Sequence, residues 1–236
     1  MFRTVFFTFL IHLGLVFNLF SQNDSTQKIS LKPFIVPAVL MTGGLLTQGK
    51  ISANVRESVL KNYPNFQSKL DDYLQYGISA IPLGMSVIGI EGKHKLKDQI
   101  ILTILSHGLA QTITQSLKYI VAYPRPDGVG MESFPSGHTT AAFTGAAILA
   151  KEYGEKSVGY TIVGYGLATT VGTYRVLKNR HWVADVLFAA GVGIAATEVT
   201  YMVYPWIQRK IFKNKDMAIL PTYNAGVVGF YAFKTF

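Results

Sequence analysis

The chain has 236 residues, enough for one domain with a substantial core and too few for two comfortable ones. Hydrophobic residues make up 49% and charged residues 15%, which excludes a disordered chain, and the absence of cysteine excludes disulfides and thiolate metal sites. The formal net charge of +9 is spread over joints between apolar stretches, which points to a membrane surface or an anionic substrate and away from nucleic acid.

In chain order, Met1-Phe2-Arg3 leads into an apolar run from Thr4 to Phe20 and a polar exit at Ser21-Gln22-Asn23. A basic start, an apolar middle and a polar end predict either a cleaved secretory signal or an uncleaved anchor helix. Uncharged apolar stretches follow at Pro33–Gly49, Tyr73–Ile90, Gln99–Leu117, Thr139–Ala150, Ser157–Tyr174 and Val186–Thr197, separated by charged or Gly/Pro-rich joints. Between the first two, Ile51–Asp72 reads as one or two amphipathic helices interrupted at Pro64. A spanning helix needs about 20 apolar residues. Tyr73–Ile90 and Ser157–Tyr174 approach that length, whereas Gln99–Leu117 carries a polar stripe through His107, Gln111 and Gln115. Both a membrane-embedded and a soluble or peripheral bundle stay open at this point.

The last twenty residues change character: Met217–Leu220 and Val227–Phe236 have strand-like composition around Pro221, Asn224 and Gly226. The predicted fold is therefore all-α, a bundle of about six helices with a short C-terminal β-hairpin. Residues 1–21 form the signal or anchor, 22–215 the helical domain and 216–236 the β-like tail. Nothing in the sequence sets the oligomeric state.

Chemistry concentrates at the predicted helix ends. Lys118 closes one helix, Ser136-Gly137-His138 opens the next, Arg175 closes a third, and His181 and Asp185 open a fourth. An antiparallel bundle brings these four ends to one side. His181 and Asp185 are four apart, so a carboxylate one turn away can hold the imidazole's tautomer. Ser136 and Gly137 offer N–H groups and a hydroxyl at the positive end of a helix dipole, and Lys118, Arg125 and Arg175 can surround phosphoryl oxygens with charge. Each group alone has a plain structural explanation as a cap, a dipole partner or a surface pair. Jointly they supply every role that phosphoryl transfer without a metal requires. His12, His94 and His107 have no partner at ligand spacing, so no metal site is read from them.

Lys118-x6-Arg125-Pro126, Pro135-Ser136-Gly137-His138 and Arg175-x5-His181-x3-Asp185 resemble the three-part signature of the type 2 phosphatidic acid phosphatase superfamily. The resemblance runs from Lys118 to Asp185 and implies a helical phosphatase with no cofactor and no divalent metal. It implies His181 as the nucleophile that forms a phosphohistidine, Asp185 as its orienting group, and His138 as the acid for the leaving alcohol and the base for water. It assigns Lys118, Arg125, Ser136, Gly137 and Arg175 to the phosphoryl oxygens. One position departs from the pattern: Tyr174 stands where the family usually has serine before the arginine.

The leading expectation is an envelope phosphatase acting on a lipid phosphate or lipid pyrophosphate, membrane-associated with its site facing the periplasm. The alternative is a secreted non-specific acid phosphatase for small phosphomonoesters. Vanadate-dependent halide oxidation and a non-enzymatic lipid-binding role are the readings from other classes. Lys93, Lys95, Lys97, Lys151, Lys156, Arg209, Lys210, Lys213 and Lys215 lie in joints away from the site, and the positive-inside tendency puts those joints in the cytoplasm. That orientation requires Pro33–Gly49 not to span.

Overall fold

The computed structural model describes residues 30–209 in full, with the backbone alone of 217–224 and 227–234. The expected signal or anchor over residues 1–21 lies outside the described residues. After a 3-10 turn at Lys32–Phe34 come seven α-helices: α1 (Ile35–Leu46), α2 (Lys50–Asn62), α3 (Leu70–Val87), α4 (Leu96–Val121), α5 (Gly137–Tyr153), α6 (Val158–Leu177) and α7 (Val183–Ile207). The seventh relative to expectation is α2, from the amphipathic stretch before Pro64. The compact helical unit extends to Glu198.

The centre of this unit is α5, which packs against α3, α4 and α6. Its sequence explains its position. Thr139, Thr140, Ala141, Ala142, Thr144, Gly145, Ala146 and Ala147 are buried on every side, so the helix has no solvent face and its small side chains admit neighbours closely. A Cβ on Gly145 would stand 2.5 Å from Ser79 Oγ of α3, and one on Gly193 of α7 would stand 2.6 Å from the Thr140 carbonyl oxygen. Either substitution would push helices apart.

Chain breakers set the helix ends that carry the site. α4 stops at Ala122, which takes a left-handed φ of 43°, and Pro124 and Pro126 prevent resumption. α6 stops before Asn179, whose φ is 55° and whose side-chain oxygen accepts from Arg56 Nε of α2 at 3.2 Å. The link between α4 and α5 is anchored by Phe134, fully buried in a cluster with Met41, Phe188 and Val192 and with its ring 4.6 Å from that of Phe188. A second cluster, Ile78, Ala142, Ala146, Ala168 and Val171, joins α3, α5 and α6.

Among the described residues only α7 is long and apolar enough by itself to cross a membrane, and over half of its apolar window is buried. α1 is 12 residues long, and the stretch Lys32–Leu46 meets α2 at 81° across Gly49, whose φ is 76°. Large apolar side chains nevertheless point outward along several helices, including Val39 and Leu46 of α1, Ile104 of α4 and Ile162 of α6.

Met217–Asn224 runs antiparallel to Val227–Lys234 along the backbone, with Met217 opposite Lys234. Residues 225–226 between the two segments lie outside the described ones, so the terminal hairpin stays an expectation and the fold rests on the helices.

Candidate active site

The four helix ends do meet. Lys118 lies in the last turn of α4, Ser136 precedes α5, Arg175 lies in the last turn of α6, and Asp185 lies in the first turn of α7. His181 sits two residues before α7 begins, so it belongs to the α6–α7 link and not to a helix face.

The link between α4 and α5 is the scaffold. Ser133 N donates to the Tyr123 carbonyl at 2.9 Å, and Arg125 N donates to the Gly130 carbonyl at 3.1 Å, so the segment folds back on itself. Trp182 Nε1 donates to the Pro124 carbonyl at 2.8 Å, and Arg180 reaches Asp127 at 3.1 Å. These contacts clamp the α6–α7 link, with its histidine, against the loop that carries Arg125.

His181 is buried, and its Nδ1 lies 2.8 Å from the Ser133 carbonyl oxygen. A carbonyl only accepts, so Nδ1 carries the proton and Nε2 is left with the lone pair. Asp185 Oδ2 stands further off, at 3.5 Å from Nδ1. The carboxylate instead accepts from Ser133 Oγ at 2.5 Å and from the Trp182 amide at 2.9 Å, while the Asp185 carbonyl accepts from Ser136 N at 3.3 Å. Asp185 thus stays at ion-pair distance from His181, and the Ser133 carbonyl makes the shorter contact to the ring. Asp185 holds Ser133 and the backbone around the histidine, and the Ser133 carbonyl holds the ring.

Burial depresses the His181 pKa to about 4; Asp185 opposes the shift, and Lys118 and Arg175 reinforce it. Burial also lowers Lys118 to about 8, helped by the charge of Arg125, with Asp185 and Glu132 opposing. Lys118 Nζ donates to the Glu132 carbonyl, and its Cε would lie 4.0 Å from a Cβ on Gly137. Lys118, Arg125, Arg175, His181, Gly137 and Asp185 therefore act on one another within one locus. Ser136 is fully buried, and its hydroxyl accepts from Thr139 Oγ1 at 3.0 Å and does not cap α5.

Sequence reasoning missed the contribution of α3. Asp71 is fully buried; it accepts from Arg175 at 3.0 Å and from Lys178 Nζ at 2.9 and 3.1 Å. Asp72 Oδ1 accepts from His138 Nε2 at 2.9 Å, and because an ionised carboxylate has no proton to give, that nitrogen carries one. The available signal was a pair of adjacent carboxylates opening an apolar stretch, where they meet the helix dipole. Asp71, Asp72 and His138 also place three potential ligand atoms within 4.8 Å of one another. Two cations already occupy Asp71, which fits an ion-paired cluster better than a cation site. Tyr174 turns its ring edge-on to Phe66, 5.0 Å between centroids, and so fills space beside the site with an aromatic pair. His94 and His107 have local partners: Glu152 at 2.8 Å and Ser79 at 2.7 Å.

Residues 99–209 match the PAP2 superfamily. The chain is 34% identical over 176 residues to a lipid A 1-phosphatase of Porphyromonas gingivalis, an alignment covering 74% of the chain. The chain spans only 38% of that relative's length. Among solved structures it is similar to a transmembrane PAP2 type phosphatidylglycerolphosphate phosphatase from Bacillus subtilis. That likeness has 21% identity and a TM-score of 0.53, over 77% of this chain and all of that one, and it is a likeness of fold. Aquifex aeolicus LpxE aligns at 21% identity over 62% of this chain and 93% of its own, with a TM-score of 0.47.

The Asp71 cluster has a measurable consequence for stability. Burial pushes the Asp71 carboxyl up, but Lys178 and Arg175 outweigh it and hold the group below its ordinary value of 3.8. A carboxyl depressed on folding contributes stability above its unfolded pKa and loses it as pH falls through the folded one. Asp71→Asn leaves two inward cations without their counter-charge, with an expected loss of about 3 kcal/mol near neutral pH. In denaturant unfolding, the gap between wild type and variant should close as pH drops below 3.8.

Proposed function

With residues 99–209 matching the PAP2 superfamily, we propose that the chain is a phosphatase that hydrolyses a lipid phosphate or lipid pyrophosphate through a phosphohistidine, without a metal. The observation that carries this reading is His181 itself. Its Nδ1–H is tied to the Ser133 carbonyl, and its Nε2 has no hydrogen-bond partner among the described residues, within reach of the charges of Lys118 and Arg175.

In the first step Nε2 of His181 attacks phosphorus, the N–P bond forms and the P–O bond to the alcohol breaks. The leaving oxygen takes a proton from His138. In the second step His138 takes a proton from water, the water oxygen bonds to phosphorus, the N–P bond breaks and phosphate departs. Lys118, Arg125 and Arg175, with the amides opening α5 at Ser136 and Gly137, carry the charge on the phosphoryl oxygens. Arg175 Nε is buried without a hydrogen-bond partner among the described residues, a donor that a phosphoryl oxygen would satisfy. On this reading Lys118, Arg125 and Arg175 supply the positive charge that a divalent ion would otherwise bring.

A lipid substrate is supported by the relative named as a lipid A 1-phosphatase and by the outward-facing apolar side chains of several helices. The chain would be membrane-associated with its site facing the periplasm. The α3–α4 and α5–α6 joints, with Lys93, Lys95, Lys97, Lys151 and Lys156, lie at the helix ends opposite those carrying the site. A cysteine replacing exposed Val129 should then react with an impermeant thiol reagent on intact spheroplasts; labelling only after lysis contradicts this orientation.

The test of activity is phosphate release by purified protein in EDTA, comparing lipid A, a short-chain phosphatidic acid, undecaprenyl pyrophosphate and p-nitrophenyl phosphate. His181→Ala should lower release by at least about a thousandfold. A preference for p-nitrophenyl phosphate over every lipid would favour the small-substrate acid phosphatase. The pH profile of kcat/KM should be bell-shaped with an acidic optimum. His181 must be neutral, which it is above about pH 4, and His138 must be protonated, which it is below a pKa held under its ordinary 6.5.

A further inference from the structure

We infer that Asp72 is the positioning residue of the general acid, holding His138 by Nε2 so that Nδ1 is the nitrogen that exchanges protons with substrate. The inference rests on the phosphatase reading above and adds to it a residue outside the three motifs, from a helix that begins 48 residues before Lys118 closes α4.

The geometry is specific. Asp72 Oδ1 lies 2.9 Å from His138 Nε2, and its second oxygen stands 4.0 Å from Lys178 Nζ. Adjacent residues of a helix point about 100° apart, so the two carboxylates opening α3 face different partners. Asp71 is buried and takes Arg175 and Lys178, whereas Asp72 is half exposed and takes the histidine. An ionised carboxylate has no proton to donate, so Nε2 must carry one whenever the contact is made. In the imidazolium both nitrogens are protonated; Nδ1 gives its proton to the leaving oxygen, and the neutral ring keeps Nε2–H on Asp72. That tautomer leaves a lone pair on Nδ1, which is what the second step needs to accept a proton from water.

The charges around the ring oppose one another. Asp71 and Asp72 from α3 favour the imidazolium, while burial and Arg175 from α6 disfavour it. Lys178 lies beyond, on Asp71, and Lys118 from α4 approaches the neighbouring Gly137. On the α7 side, the Asp185 backbone carbonyl accepts from Ser136 N, two residues from His138, while its carboxylate is taken by Ser133 and the Trp182 amide. Removing the Asp72 charge therefore moves His138 further below its ordinary value. An exposed ion pair with only a structural role would add little to stability and nothing selective to catalysis.

Leaving-group dependence separates the two. Phenyl phosphate and p-nitrophenyl phosphate have similar shapes, but phenolate is the poorer leaving group and depends more on protonation. kcat/KM reads the steps up to release of that group. Asp72→Asn should lower kcat/KM about tenfold on phenyl phosphate, a fraction of what a general acid supplies, and clearly less on p-nitrophenyl phosphate. The alkaline limb of its profile should move to lower pH, Asp72→Glu should recover part of the loss, and in a His138→Ala background Asp72→Asn should have no further effect. Equal losses on both substrates, an unmoved alkaline limb, or an undiminished loss without His138 would each overturn the assignment and leave the phosphatase intact. A wild-type protein inactive on both aryl phosphates and on lipid phosphates would overturn the phosphatase reading itself, and this assignment with it.

Discussion

Cations crowded into one end of a helical bundle repel one another and lose hydration, and each term alone would open the structure. Lys118, Arg175 and Lys178 face carboxylates that arrive from elsewhere in the chain. Asp71 reaches in from α3 to take Arg175 and Lys178, and Asp185 at the head of α7 faces Lys118 and His181. Neither carboxylate neutralises the whole set. Lys118 stays strained towards its neutral form and Arg175 Nε stays unpaired, so the locus retains a demand for negative charge that a phosphoryl group can meet. Preorganised charge of this kind requires no rearrangement when charge develops on the oxygens.

Rigidity at that end comes from packing further down. α5 is built from alanine, glycine and threonine and admits its neighbours at near-backbone distance, which fixes where four helix ends fall. The link before α5 is held by Phe134 against Phe188, and it carries Ser133, whose carbonyl and hydroxyl serve His181 and Asp185 at once. One residue thereby connects the core cluster to the tautomer of the candidate nucleophile. The two histidines are treated alike: each has one ring nitrogen tied off, His181 by a backbone carbonyl and His138 by Asp72.

Much of this is legible in the sequence itself. The apolar stretches marked the helices, and the spacing of Lys118, Arg125, Ser136, Gly137, His138, Arg175, His181 and Asp185 marked a shared end, because short joints force antiparallel neighbours. What stayed hidden depends on long-range geometry. Asp71 and Asp72 sit in a stretch whose amphipathic pattern says only that a helix begins, and no local spacing links them to Arg175 or His138. Ser133 escaped because its decisive group is a backbone carbonyl, which every residue has. His181 and Asp185 looked like a helical i,i+4 pair, yet α7 starts at Val183, which leaves the histidine in the link and the carboxylate 3.5 Å away.

If His181 Nε2 becomes covalently bound to phosphorus, the covalent species is open to direct observation. Protein mixed with substrate, quenched in alkali to preserve a phosphoramidate, and digested for mass spectrometry should carry a phosphoryl group on the peptide containing His181. His138→Ala should accumulate more of it, because water is no longer activated to remove it, and His181→Ala should carry none. A turnover-competent protein with no adduct, or with the adduct on His138 or any other residue, would contradict the account.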